Sequence, residues 1–499
     1  METASTRPIY YVFSGILASI SMYTLLRLIL IGSKTKYNTN SLMSNSIVSL
    51  FCYFFLTCLL ALYYLLDYYS SFNTISVLGS TNTIHTEYLI NTNTTYWFNT
   101  STLGLNYISI YYFPFIYIFL IVTFLSVAFC LSYNANEVFS FMFYCSVITV
   151  AGYVLFFTDS IILFFLAYEM LLVPSFFILY NFAKTRRCVE AAYLMFFWTQ
   201  LGALFLIFSF VYLFTLCKSS SFTLISTFYF SSFELNFCFF CWLIGFGVKL
   251  PIWPFYGWLP KAHVEASTNF SIFLSGVLVK FAFFGFLKCL ITLQLEPTFV
   301  YVYPFLTIGI IDAVFKLFYQ IDLKKLVAYS TVVEMHWLTI CVISGQSCLM
   351  LASFCMLISH ALLSTNSFLL VDAIGRRFKT RLITEINGIN FLCPKLFLVS
   401  LVNCLIFLGF PGSIFFVAEF MFFSFFFDLF PALCLFFIVL LYLIAPTMFF
   451  RSWMNVLFGS SVHFLRTPPV DLLSKELVVY VGLIVLMFWL GFTWQAFIF

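Results

Sequence analysis

The chain has 499 residues, of which 63% are hydrophobic and only 8% are charged, and its formal net charge is +4. Soluble domains carry about 25% charged residues, so this composition excludes a soluble globular protein. The apolar runs are roughly 20 residues long and do not alternate, which indicates transmembrane helices rather than a β-barrel. We therefore predict an all-α polytopic membrane protein.

Hydropathy divides the chain into about fourteen transmembrane helices. The predicted spans are 9–32, 47–68, 107–133, 138–157, 159–180, 190–217, 235–257, 269–291, 298–320, 324–344, 347–372, 396–427, 430–450 and 476–497. The segment at about 70–106 is rich in Asn and Thr and predicts a solvated outer loop. No soluble domain is expected.

Lys and Arg concentrate in the loops on one side of the predicted bundle. That side includes Lys184, Arg187, Lys261, Lys324, Lys325, Arg376, Arg377, Lys379 and Arg381. The opposite side has little beyond Arg7, Lys218 and Lys288. By the positive-inside rule, the first side faces the cytoplasm or matrix, so both chain termini lie on the outer side.

Four charged residues lie deep within predicted spans. They are Glu169, Lys249, Lys280 and Glu419. An isolated charge at this depth costs several kcal/mol, so it must meet a partner, line a wet cavity or become neutral. A buried ion pair that only fixes helix packing would explain one of them. Two acids and two bases together favour a proton relay.

Two of the spans are interrupted beside these charges. Pro251 and Pro254 break the seventh span next to Lys249, and Pro411 and Gly412 break the twelfth span before Glu419. Proline removes a helical hydrogen bond that lipid cannot replace, so the freed carbonyl groups must face protein or water. Paired broken helices indicate half-helix sites in an inverted repeat. Equal depth predicts that Glu169 pairs with Lys249.

Two histidines lie inside spans ten and eleven, namely His336, with Glu334 close by, and His360. Together with the deep lysines and Glu419, they are better explained as relay groups than as packing residues. A quinone- or haem-binding oxidoreductase is a rival hypothesis, and these two histidines are the only candidate axial ligands for a haem. The single CxxC, Cys238 to Cys241, has no second pair, so we expect no metal or cluster site.

Several segments carry a resemblance to a known family. GVKLPIWPFYGWLPKAHVEA at 247–266, GVLVKFAFFGFLK, DLKKLVAYSTVVEMHWLT and LGFPGSIFFVAEF follow one another as in the antiporter-like membrane subunits of respiratory complex I. The acidic Glu419 resembles the chain-4 type, because chains 2 and 5 usually carry lysine there. The resemblance covers roughly residues 138–430. It implies fourteen helices with broken helices 7 and 12 and two inverted repeats, helices 4–8 and 9–13. The domains would be 1–137, 138–293, 294–452 and 453–499.

The resemblance also implies roles for single residues. Glu169 and Lys249 would form the paired switch, Lys280 would be the central relay lysine, and Glu419 the terminal acid. His360 matches a histidine on the central axis.

The chain departs from the family at two positions. Relatives often have histidine where Tyr256 and Glu334 stand. We expect Glu334 and His336 to share the relay duty at the second site.

The implied function is proton translocation in the membrane arm of complex I, coupled to NADH oxidation by ubiquinone in other subunits. No cofactor is expected in this chain, whereas the whole complex would use NADH, FMN, Fe–S clusters and ubiquinone. A stand-alone cation/proton antiporter of the same fold is the alternative.

The expected partners are neighbouring antiporter-like chains 2 and 5, accessory subunits and membrane lipids, with cardiolipin suggested by the basic loops, and no nucleic acid. High Phe and Tyr usage suggests an organelle-encoded protein. The resemblance implies the mitochondrial inner membrane, where the positive-inside rule would place both termini on the intermembrane-space side.

Overall fold

The computed structural model describes residues 140–493, except for 142, 146, 149–150, 153, 156–157, 183–184, 294–299 and 460–468. The predicted spans 9–32, 47–68 and 107–133 and the loop 70–106 lie outside the described residues. The chain divides into two compact units, Met1–Pro174 and Ser175–Phe499. Within the described part the regular structure is helical and contains no strand.

An apolar span of 21 residues, Ile161–Asn181, contains the end of the first unit. It consists of α1 (Ile161–Met170) and α2 (Leu172–Asn181), separated by a single turn residue. Glu169 lies in the last turn of α1 and is half-buried.

The helices of the second unit follow in chain order. They are α3 (Arg186–Cys217), α4 (Phe222–Ile225), α5 (Ser232–Lys249), α6 (Trp258–Glu265), α7 (Thr268–Phe273), α8 (Val279–Thr292), α9 (Tyr303–Phe318), α10 (Leu323–Ile343), α11 (Ser347–Phe378), α12 (Ile389–Leu392), α13 (Pro394–Phe407), α14 (Ile414–Leu429), α15 (Pro431–Phe437), α16 (Ala445–Leu457) and α17 (Ser474–Phe492). Two π-helical segments, Leu274–Leu278 and Ile438–Ile444, and two 3-10 turns, Phe255–Gly257 and Val300–Val302, complete the set.

Seven helical segments of the described chain are long and apolar enough to cross a membrane. This confirms a multi-pass helical membrane protein. The most enclosed spans are Thr268–Thr292, Leu323–Ile343 and Cys348–Phe378, whose apolar windows are 100%, 94% and 89% buried, against 39% for Arg186–Cys217. The protein therefore surrounds the first three spans, while α3 exposes large apolar side chains suited to lipid.

Polar caps define where several helices begin. Ser231 and Glu234 form a capping box at the start of α5, in which each side chain accepts from the other residue's backbone N–H. The Asp322 carboxylate caps α10, and the Ser413 hydroxyl caps α14. These contacts satisfy backbone donors that have no partner inside their own helix.

The first predicted helix break is confirmed. Helix α5 ends at Lys249, and the chain does not become α-helical again until Trp258. The Trp258 indole N–H donates to the Val248 carbonyl at 2.8 Å, which satisfies an acceptor near the end of α5. The break therefore lies inside protein, where such backbone groups find partners.

The second predicted break is also confirmed. Span 396–427 is two helices, α13 and α14, and the connection from Leu408 to Ser413 contains Gly409 at φ +75° and Gly412 at φ +90°. This left-handed conformation is easily reached only by glycine. The turn brings the start of α14 close to α17, because Gly491 lies directly against the Gly412 carbonyl.

A third interruption is absent from the sequence-based prediction. Span 269–291 consists of α7, the π-helical segment Leu274–Leu278 and α8, which follow one another directly in the chain. No proline marks it, and the only unusual residues in it are Ser275 and Gly276.

Two glycines of α17 offer a matched test of this packing. A Cβ at Gly491 would lie 2.2 Å from the Gly412 carbonyl oxygen, whereas a Cβ at Gly482 would meet nothing within 4 Å. We expect Gly491→Ala to destabilise the fold by about 1–3 kcal/mol through overpacking. Gly482→Ala should be neutral or slightly stabilising, because alanine favours helix. Thermal unfolding of both variants in detergent measures this, and equal melting temperatures would contradict the contact.

Candidate functional site

Lys280 lies at the midpoint of the 25-residue span Thr268–Thr292, and its side chain is fully buried. The Nζ atom donates a hydrogen bond to the Ser275 carbonyl of the same helix. The ammonium group thus has a backbone ligand at a depth where lipid offers none.

The π-helical turn explains why that carbonyl is available. In a regular α-helix the Ser275 carbonyl would accept from the Val279 N–H. Here the Val279 N–H bonds to the carbonyls of Leu274 and Val277 instead. The wider turn thus takes the α-helical donor away from the Ser275 carbonyl, and the Lys280 side chain, five residues further along, donates to it.

The same serine contacts the next helix. Its hydroxyl lies 3.3 Å from His360 Nε2 on α11, and His360 Nδ1 contacts the Glu334 carboxylate on α10. Lys280, His360 and Glu334 are 0%, 2% and 4% exposed. Four residues from three membrane spans thus form one group of polar contacts, here called the central relay: Lys280, Ser275, His360 and Glu334.

Glu419 lies at one side of the central relay. It is 6% exposed on α14, and it interacts electrostatically with Glu334. Glu334 in turn interacts with Lys280. A Cβ at Gly409 would lie 2.7 Å from Glu419 Oε2, so the carboxylate lies against the second helix break. Within the described chain this oxygen has no hydrogen-bond partner.

His336 does not share the surroundings of Glu334. Its Nδ1 lies 2.7 Å from the Val332 carbonyl, and its Nε2 accepts from the Trp253 backbone N–H at 2.8 Å. The imidazole therefore contacts the first helix break, whereas Glu334 contacts His360.

The histidine contacts also bear on the haem hypothesis. Both ring nitrogens of His336 and of His360 face protein groups, so neither ring presents a free nitrogen to iron.

Lys249 is the last residue of α5, where the negative end of the helix dipole favours an ammonium group. It is half-buried and lies in the second unit, whereas Glu169 lies in the first. Their pairing stays a prediction. Two i,i+4 ion pairs lie near span ends, Asp312–Lys316 and Asp372–Arg376, each with an N–O distance of 2.8 Å.

Sequence reasoning missed Ser275, a member of the central relay, and His263, which lies near it. His263 on α6 is fully buried and stacks on Phe368, with ring centroids 4.9 Å apart. Neither ring nitrogen has a hydrogen-bond partner in the described chain, and the ring interacts electrostatically with Lys280 and Lys324. The serine in the middle of an apolar run was the available signal for Ser275. For His263 only its burial reveals an unusual position.

Broken helices beside buried lysine, histidine and glutamate at mid-membrane define an antiporter-like membrane protein. A sequence model described as NADH:quinone oxidoreductase/Mrp antiporter, TM, matches residues 158–445. The chain belongs to this family.

The names of similar proteins agree with this family. The chain is 36% identical over 334 residues to NADH-ubiquinone oxidoreductase chain 4 of Paramecium tetraurelia, covering 66% of this chain and 70% of that one. It is 32% identical to the Marchantia polymorpha chain 4, covering 52% of this chain and 54% of that one. The match thus spans little more than half of the plant relative.

Solved structures share the fold. A chain of the Mrp complex from Dietzia sp. DQ12-45-1b aligns with a TM-score of 0.70 at 14% identity, covering 78% of this chain and 81% of that one. A chain of respiratory complex I from Thermus thermophilus aligns with a TM-score of 0.68 at 18% identity, covering 77% and 80%.

The buried pair of Glu334 and His360 makes a stability prediction. We expect Glu334→Ala to lower the free energy of unfolding by about 3 kcal/mol, because it leaves a buried imidazole without its acid. Glu190→Ala removes a carboxylate that is 65% exposed from an ion pair with Arg186, and should change it by less than about 0.5 kcal/mol. Thermal unfolding of both variants tests this. Equal losses would mean that the buried contact is energetically unimportant.

Proposed function

We propose that the chain is a proton-translocating subunit, of the chain-4 type, in the membrane arm of respiratory complex I. NADH oxidation by ubiquinone takes place in other subunits, and charge rearrangement couples it to this chain. The observation that carries the proposal is the central relay, a set of polar contacts among buried groups in the most enclosed spans. Intramembrane acids and bases at such spacing are typical of proton pathways.

His360 is suited to pass a proton between its two neighbours. In its neutral form Nδ1–H donates to Glu334 and Nε2 accepts from the Ser275 hydroxyl. A proton arriving at Nε2 produces an imidazolium, and loss of the Nδ1 proton to Glu334 restores the neutral ring. Ser275 places Lys280 beside this histidine, because its carbonyl holds the ammonium and its hydroxyl faces the imidazole.

Charge on Glu334 coordinates the two ends of this pathway. An ionised Glu334 attracts the Lys280 ammonium and repels a negative charge on Glu419. Protonation of Glu334 removes both interactions, so the charge of Glu334 couples Lys280 to Glu419. Glu419 is the terminal acid of the pathway, next to the glycine turn of the second break.

The remaining assigned residues complete the scheme. Glu169 and Lys249 are the proposed switch residues. His336 takes part through the first break, since its Nε2 holds the Trp253 N–H. His263 is an added candidate between Lys324 and the central relay.

The architecture proposed with this function has fourteen helices and two inverted five-helix repeats. The repeats would occupy 138–293 and 294–452, after N-terminal helices in 1–137 and before a last loop and helix in 453–499. In support, the described part of each repeat contains a helix break beside a charged residue. Leu250–Gly257 follows the half-buried Lys249, and Leu408–Ser413 lies against the buried Glu419.

The proposed setting is the mitochondrial inner membrane with both termini in the intermembrane space, supported by the basic loops and by mitochondrial relatives. Partners are the neighbouring antiporter-like chains 2 and 5, accessory subunits and lipids such as cardiolipin. NADH, FMN, Fe–S clusters and ubiquinone belong to other subunits.

A stand-alone cation/proton antiporter is the second candidate, because the description of the matching family model names the Mrp antiporter as well as NADH:quinone oxidoreductase. It predicts cation flux across vesicles without NADH. The sequence relatives named chain 4 favour the complex I function, which predicts proton uptake only during NADH oxidation.

Lys280→Met tests the pathway directly. We expect NADH-driven proton uptake by reconstituted complex to fall at least about tenfold, with quinone-linked NADH oxidation falling in parallel, because the relay loses its central base. Lys288→Met is the matched control, since Lys288 is also buried on α8 but lies over the Phe222 ring. Unchanged pumping by Lys280→Met would show that the lysine only packs.

Ser275→Ala tests the link between lysine and histidine. It keeps the carbonyl that binds Lys280 but removes the hydroxyl, and we expect a fall in pumping of roughly three- to tenfold. Ser353→Ala removes an equally buried hydroxyl on α11 that bonds only to the Met350 carbonyl, and pumping should persist. Equal pumping rates in the two variants would remove Ser275 from the pathway.

A further inference from the structure

Three polar side chains join the first helix break to α9. The buried Tyr256 hydroxyl donates to the Asp312 carboxylate and accepts from Lys316 Nζ at 2.5 Å. Lys316 Nζ also donates to Asp312, at 2.8 Å. Tyr256, Asp312 and Lys316 are here called the tyrosine cluster. Its hydroxyl is held between an acid and a base.

Helix packing alone does not require this arrangement. The Lys316 and Asp312 side chains are 45% and 32% exposed, and an i,i+4 pair at such exposure contributes little and needs no third member. Sequence spacing alone would make both of them span-end charges that pair only with each other. The structure instead connects them to a tyrosine that is 3% exposed, so the cluster runs from an accessible carboxylate to a buried hydroxyl.

The inner end of the cluster faces His336. The ring centroids of Tyr256 and His336 lie 6.2 Å apart, with the rings in a T-shaped arrangement. The Asp312 carboxylate also interacts electrostatically with His336. Gly309, one turn before Asp312, allows α9 to approach, since a Cβ there would lie 2.2 Å from His336 Nε2. The only proton acceptor that this imidazole offers is that Nε2 lone pair, which now holds the Trp253 N–H.

We propose that the tyrosine cluster is a proton-loading site in which Asp312 takes up the proton and Tyr256 passes it toward His336. This inference rests on the proposed function and adds an entry point to it. The acid proton of Asp312 moves to the tyrosine oxygen as the tyrosine gives its own hydroxyl proton to His336 Nε2. Tyr256 stays neutral and Asp312 returns to a carboxylate. His336 becomes an imidazolium, and the hydrogen bond from the Trp253 N–H to its Nε2 breaks.

Lys316 has a positioning role in this step. Its ammonium donates to the tyrosine oxygen and the carboxylate, and it also lies 4.9 Å from the Tyr256 ring centroid. It therefore holds the two oxygens together and stabilises the carboxylate that remains after each transfer.

The experiment measures NADH-driven proton uptake by the reconstituted complex. Asp312→Asn keeps the shape of the side chain but cannot carry the proton, and Tyr256→Phe removes the hydroxyl. We expect each to slow uptake about tenfold, and the double variant to be no slower than either, because both act in one step. Asp312→Glu should retain most of the rate. Glu190→Gln, which alters another exposed i,i+4 pair, should retain all of it.

The outcomes separate a loading role from a structural one. Loss of uptake at unchanged melting temperature, with rescue by Asp312→Glu, supports the proposal. Uptake within twofold of the parent in Asp312→Asn overturns it, as does a loss that only follows the amount of folded complex. If Lys280→Met abolishes uptake while Asp312→Asn does not, only the loading site is wrong. If neither variant affects uptake, the proposed function fails with it.

Discussion

A lysine ammonium at the middle of a membrane span must find its ligands inside the protein, and most of the observed site follows from that requirement. Lys280 meets it with a carbonyl of its own helix, released by a π-helical turn. The turn also presents the Ser275 hydroxyl to α11. One local change in helical winding thus gives the charge a ligand and connects it to the next acid–base group.

The two helix breaks solve the same problem in other ways. The proline break after α5 leaves a backbone N–H at Trp253, which His336 accepts. The glycine break before α14 lets the backbone pass close to the Glu419 carboxylate, because a side chain at Gly409 would collide with it. In each case an interrupted helix supplies space or a hydrogen-bonding group next to a titratable side chain that lies within a membrane span.

The departures from the family pattern become intelligible in this setting. At Glu334 the family resemblance led us to expect histidine, and the carboxylate there contacts His360, so an acid and an imidazole form the pair. The resemblance also led us to expect histidine at Tyr256, whose hydroxyl hydrogen-bonds with Asp312 and Lys316. A tyrosine is a poor proton acceptor by itself, but a neighbouring carboxylate provides that capacity. Both positions thus keep groups able to exchange protons.

The sequence by itself determined the class of protein, the course of the described spans, both proline or glycine breaks, and the depth of Lys280, Glu334, His360 and Glu419. These follow from hydropathy and from backbone chemistry, which act locally along the chain. It did not reveal the π-helical turn, because no residue type demands it, nor the contacts of Ser275.

Which groups meet was decided only by tertiary structure. Glu334 and His336 are two residues apart, so they point to different sides of one helix and meet different partners, His360 and Trp253. By their spacing Asp312 and Lys316 form an ordinary i,i+4 pair, and only the packing of α9 against the first break brings them to Tyr256. Contacts between distant segments depend on helix rotation and close packing, and neither is encoded by the depth of a residue in its span.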